Sequence, residues 1–134
     1  MNITTLSILQ QEYPKLMEDG IIQSNVPLKE HCSFQIGGPV EVFCTPYTQN
    51  QLLDLLRFCL NHKTPYFILG KGSNLLISDK GLSGIVISTE RFTELTVEQE
   101  YITASCGVTL KDLCNYACEN GLSGLEFASG IPGS

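Results

Sequence analysis

A chain of 134 residues, 43% apolar and 16% charged, has material for one globular domain with a real core and is not of disordered composition. A net charge of −6 with only 8 Lys and Arg argues against nucleic acid as partner; an anionic small ligand stays compatible, because backbone N–H groups and one or two local cations can hold it. No apolar run approaches the roughly 20 residues of a membrane span, and the N-terminus lacks the basic start and apolar core of a secretory signal, so the expected location is the cytoplasm.

In chain order, Leu6, Leu9, Tyr13, Leu16 and Met17 stand at helical spacing over residues 5–18. Pro14 removes a backbone donor inside this stretch, which predicts a short or kinked helix, an appendage spanning residues 1–24. Gly37-Gly38-Pro39 reads as a turn and Val40–Cys44 as a strand. Residues 49–62 form the clearest helix: Leu52, Leu55, Leu56, Cys59 and Leu60 make one stripe, Thr48 and Gln51 have capping-box spacing, and Pro65 lies just past the end. Tyr66–Leu69 is apolar at every position, the pattern of a strand buried on both faces. Strand, helix, strand in that order predicts a right-handed βαβ unit.

The loop Gly70-Lys71-Gly72-Ser73-Asn74 follows. Beyond it, Leu75–Ser78, Ile85–Ser88, Leu95–Val97 and Tyr101–Ser105 read as short strands, with turns at Asp79-Lys80-Gly81, Ser83-Gly84 and Glu98–Glu100. A second helix covers about 109–120, with the stripe Leu110, Leu113, Cys114, Ala117 and Cys118, a cap at Thr109 and a stop at Gly121. The closing Gly130-Ile131-Pro132-Gly133-Ser134 completes no element, which leads to the expectation of a longer parent protein. The fold class is therefore α+β, a βαβ piece followed by a meandering mixed or antiparallel piece, truncated.

The six cysteines include no Cys-x-x-Cys pair and mostly sit in apolar patterns, so they read as small core hydrophobes, Cys114 and Cys118 among them. His31 and His62 are isolated, and no metal ligand is assigned. The glycine loop can present several N–H groups to a phosphate. It is not a P-loop, since Lys71 is followed by glycine and position 65 is proline. It is not a Rossmann loop either, since Leu75 stands where a third glycine belongs and a strand follows; the loop is expected to act without a helix N-terminus. Read alone, it is a tight turn somewhat more than an anion site.

Three segments in order alter that balance: Ser33–Gly38, Leu69–Ile87 and Gly121–Ser134. On these the chain resembles the bacterial UDP-N-acetylenolpyruvoylglucosamine reductases, from about Asn25 to its end. The resemblance implies an FAD-binding domain of the vanillyl-alcohol-oxidase type, with flavin between two subdomains: residues 25–90 as the first and 91–134 as the start of the second. It implies that Gly70, Gly72, Ser73 and Asn74 belong to a pyrophosphate loop, with Lys71 at the variable position. Gly130, Ile131, Pro132, Gly133 and Ser134 would form a second flavin-contacting loop. It further implies NADPH as electron donor, a UDP-sugar enolpyruvate as substrate, and a role in peptidoglycan precursor synthesis.

The family's serine, glutamate and arginine that act on substrate come later in its sequence, so no catalytic residue is assigned here and the chain alone is expected to be inactive. Glu126 is expected to make a structural hydrogen bond to loop N–H groups. Weak or no FAD retention and self-association are further expectations. A complete non-catalytic nucleotide-binding module, or another flavoenzyme of the same fold, remain the alternatives.

Overall fold

In the computed structural model, which describes residues 4–31, 37–72 and 80–134, the chain starts with two short helices, α1 (Thr5–Glu12) and α2 (Pro14–Glu18). Pro14 opens α2, where its missing N–H breaks no helical bond. These helices are not an appendage. Leu9 and Leu16 are buried in one cluster with Val42, Leu55, Phe58 and Ile87. A strand, β1 (Ile22–Pro27), then crosses the expected boundary at residue 24. Its Gln23-Ser24-Asn25 stretch shows no apolar alternation, so the sequence does not signal it.

β2 (Pro39–Cys44), β3 (Tyr66–Leu69) and β4 (Leu82–Ser88) complete a sheet of order β1-β2-β4-β3. β1 runs antiparallel to β2, and the other pairings are parallel. The strand–helix–strand unit of β2, α3 (Gln49–Asn61) and β3 is present, but β4 comes between its two strands. Among the described strands β3 is thus the outermost. Tyr66, Phe67 and Ile68 are 47%, 40% and 45% exposed, so the expectation of a strand buried on both faces fails.

Ser83-Gly84, expected as a turn, lies inside β4. Gly84 has φ +91°, and a Cβ there would stand 2.2 Å from the Pro65 carbonyl oxygen. The β2–β4 register shifts beside it, between Val40 and Val42. Glycine serves here because neighbouring backbone comes too close for a side chain.

Alternation along β2 and β4 sorts the core onto two faces. Val42, Cys44, Ile85 and Ile87 pack with Leu9, Leu16, Leu55 and Phe58 of the helices. Phe43, Val86, Leu69 and Leu28 form a smaller cluster with Val40. Each such large side chain contributes roughly 1.5–3 kcal/mol by leaving water.

α3 starts as expected: the Thr48 hydroxyl accepts from the Gln51 N–H at 3.2 Å. The nearly buried Gln51 side chain accepts from the N–H groups of Tyr47 at 2.9 Å and Thr48 at 3.2 Å. It also donates to Asp19 at 3.0 Å, tying α3 to the end of α2.

The remaining elements are the hairpin β5 (Leu95–Glu98) and β6 (Tyr101–Ala104) and the helix α4 (Leu110–Glu119). Thr109 caps α4, and beyond its last turn Gly121 adopts φ +70°. Of the expected stripe only Ala117 is buried, and Cys118 is exposed rather than core, because among the described residues no further strand covers that face. Cys106 is exposed too, while Cys44 and Cys59 are buried. The expected strand Leu75–Ser78 and Cys32 lie outside the described residues.

Candidate functional site

β3 and β4 end side by side, Leu69 opposite Ser88. The carboxyl ends of neighbouring parallel strands are where clefts open in such sheets. A cleft of about 420 Å³ lies there, bordered by His31, Gly70, Lys71, Ser88, Thr109 and Ser134. Its position follows from the fold: the loop after β3 enters it directly, and the closing segment returns to meet that loop. A Cβ built on Gly70 would lie 3.0 Å from the Ser134 hydroxyl oxygen. Lys71 and Thr109 also line an adjoining recess of about 160 Å³, together with Gly130, Ile131, Pro132 and Gly133. The first N–H of α4, from Leu110, donates to the Gly133 carbonyl at 2.9 Å and fixes the closing segment against the helix.

Two distant glycine segments are thereby placed together. Gly70, Lys71 and Ser134 share the larger cleft, and Gly130–Gly133 line the smaller. Gly72 is buried with φ +75° and borders neither. Ser73 and Asn74 lie outside the described residues. Among the described residues, the N–H groups of Gly70, Lys71, Gly72, Gly130, Gly133 and Ser134 enter no hydrogen bond. The Ile131 N–H is taken by the Ala128 carbonyl at 3.1 Å, and Pro132 has none, so these two shape the segment rather than donate.

Several residues line the cleft without a signal in the sequence. The first turn of α4 brings Thr109 and Asp112 to the cleft, so a helix N-terminus is present where the loop was expected to act alone. Its capping residue is legible in the sequence; its proximity to a loop in another part of the chain is not. Glu30 and Glu90 join Asp112 in lining the cleft. Three carboxylates beside Lys71 mean that an anion here depends on backbone donors more than on side-chain charge. His31 also lines the cleft, its ring stacked on Phe43 with centroids 4.4 Å apart.

Glu126 behaves as expected of a structural acid. Its carboxylate accepts from the Gly124 N–H at 2.8 Å. Bonds from its own backbone N–H and from that of Gly124 hold its carboxyl below the usual range, so it carries no proton near neutrality. Among the described residues, no group of three or more His, Cys, Asp or Glu is placed to hold a metal ion, and no helix is long and apolar enough to cross a membrane.

Residues 40–134 match the family described as FAD binding domain. The UDP-N-acetylenolpyruvoylglucosamine reductase of Clostridium perfringens is 45% identical over 108 residues, 81% of this chain and 36% of that protein. The reductase of the same name from Caldanaerobacter subterraneus is 39% identical over 127 residues, 95% of this chain and 42% of that protein. The chain thus spans about two fifths of the length of these curated relatives. Among solved structures, UDP-N-acetylenolpyruvylglucosamine reductase from Thermus caldophilus superposes with a TM-score of 0.65 at 34% identity, over 81% of this chain and 37% of that one. p-Cresol methylhydroxylase shares the fold, with a TM-score of 0.62 at 17% identity, over 88% of this chain and 25% of that one. The fold is thus the expected α+β architecture of FAD-binding domains.

The residues present fit such a cofactor. The space at Gly70 that a Cβ would narrow against Ser134 lies between two segments with uncommitted N–H groups, beside a helix N-terminus, the donor set a diphosphate requires. The family match takes in the loop after β3, the start of α4 and the closing glycine segment, and by it this chain belongs to the FAD binding domain family.

Proposed function

We propose that this chain is the FAD-holding part of a cytoplasmic reductase that converts UDP-N-acetylglucosamine enolpyruvate to UDP-N-acetylmuramate with NADPH, in peptidoglycan precursor synthesis. The observation that carries this reading is the meeting of Gly70 with Ser134, because it gathers two glycine segments into one donor set. The names of the relatives at 39–45% identity supply the substrate. When bound, FAD would supply the hydride relay between nicotinamide and substrate.

The chain's own residues would hold it. In this reading the loop Gly70, Lys71, Gly72, Ser73 and Asn74 would hold one side of the diphosphate, and the N–H groups of Gly130, Gly133 and Ser134 would hold the other. Ile131 and Pro132 keep the second segment in shape. Thr109 and the first turn of α4 add the positive end of a helix dipole. Residues 25–90 would form the first flavin-holding subdomain, preceded in the same core by residues 4–24, and residues 91–134 would open the second. No residue of this chain is assigned to the reacting atoms. Exposed Tyr66, Phe67, Ile68 and Phe127 favour self-association of the isolated chain.

Titrating the purified chain with FAD, followed by amide resonances, tests the reading. Gly70–Gly72, Gly130, Gly133 and Ser134 are expected to shift together at weak affinity. Little flavin absorbance should survive gel filtration, since the contacts of a full second subdomain are missing while the entropic cost of association remains. Shifts on another face, or none at millimolar FAD, overturn the reading. A stoichiometrically yellow chain overturns the weak affinity.

A further inference from the structure

We propose that the His31 imidazole is a stacking wall for one planar ring of the dinucleotide, a positioning residue in the cleft; this rests on the FAD reading above. Among the described residues lining the cleft, His31 is the one aromatic ring. It ends a short 3₁₀ turn, Leu28–His31, anchored by the buried Leu28. That turn is fixed to the segment before β2 by bonds from the N–H groups of Leu28 to Gly38 at 3.0 Å and of Lys29 to Gly37 at 3.2 Å.

One face of the imidazole lies on Phe43, with centroids 4.4 Å apart and planes 29° apart. Phe43 is itself buried, one residue before the end of β2. The ring is therefore held by packing from behind. Among the described residues it makes no hydrogen bond or ion pair, so no polar partner fixes its orientation for another purpose. A ligand with flat heteroaromatic ends, gripped at its diphosphate by Gly70 and Ser134, needs an apolar flat surface within the same cleft, and stacking on a preformed ring adds affinity at little entropic cost. Glu30, Lys71, Glu90 and Asp112 surround the cleft, so a contribution of His31 through charge on the diphosphate is the competing role.

The chain has two histidines, which makes the ring protons of His31 directly readable once a His62→Gln variant identifies the other. Titration with ADP, FMN and FAD separates the rings, as ADP carries only the adenine and FMN only the flavin. The expected result is an upfield shift of the His31 ring protons with FAD and with whichever half carries the stacking ring. His31→Phe should keep FAD affinity within about twofold, while His31→Ala loses roughly two- to tenfold. Equal loss in the Phe and Ala variants overturns the proposal in favour of charge or hydrogen bonding. Ring protons that stay still while the Gly70 and Ser134 amides shift overturn it and leave the FAD reading standing; silence at both sites overturns both. Should His31→Ala fail to fold, the ring-proton shifts of the unsubstituted chain decide.

Discussion

A Cβ at Gly107 would stand 2.0 Å from the Thr89 carbonyl oxygen and 2.7 Å from that of Phe92, whereas nothing lies within 4 Å of Gly121. Both glycines look alike in the sequence, because what separates them is the approach of backbone from elsewhere. Gly107→Ala is expected to cost about 2 kcal/mol or more in urea unfolding, and Gly121→Asn under about 0.5 kcal/mol. Gly70→Ala meets only the Ser134 hydroxyl, at 3.0 Å; it should leave the melting temperature unchanged and weaken the FAD-induced amide shifts. Burial, with Cys59 nearby, pushes the Cys44 thiol up from 9.0 to about 12. The folded state therefore keeps a proton that the unfolded chain releases. This stabilisation is full below pH 9 and is lost as pH rises towards 12, by up to about 1.4 kcal/mol per pH unit. Urea midpoints between pH 8 and 11 should fall less steeply for Cys44→Ala than for the unsubstituted chain.

At the level of elements, α3 is legible because its stripe and its cap are both local in sequence. The structure adds the second use of Gln51, which closes the cap and reaches Asp19. Gln51→Leu leaves the Tyr47 and Thr48 N–H groups without their acceptor and should cost about 2–3 kcal/mol. Thr48→Ala, which removes one bond, should cost about 1 kcal/mol in thermal melts. β3 shows the opposite limit. Four apolar residues announce a strand, but whether it lies at the centre or the edge depends on where β4 inserts. α4 announces its apolar stripe equally clearly, yet among the described residues only Ala117 of that stripe is buried.

Over the whole molecule, cover is unequal. β2 and β4 contribute buried residues to clusters on both sheet faces, while β5 and β6 contain none. Hydrogen exchange should therefore find amides of Val42, Phe43, Val86 and Ile87 protected to near the global unfolding free energy, and those of Thr96 and Ile102 opening locally. Comparable protection in both sheets would contradict this. The site was half legible on the same ground. Its two glycine segments carry local signatures, whereas the α4 N-terminus and His31 reach it only through contacts distant in sequence. The sheet order also sets a timetable for synthesis. A nascent chain that has emerged as far as Leu69 holds β2 and β3 but lacks β4, the strand each of them pairs with in parallel. Until Ser88 leaves the ribosome, two strand edges stay open and Phe43 lacks its neighbour Val86. A pause in translation within residues 70–81 would hold the chain in the state most exposed to aggregation.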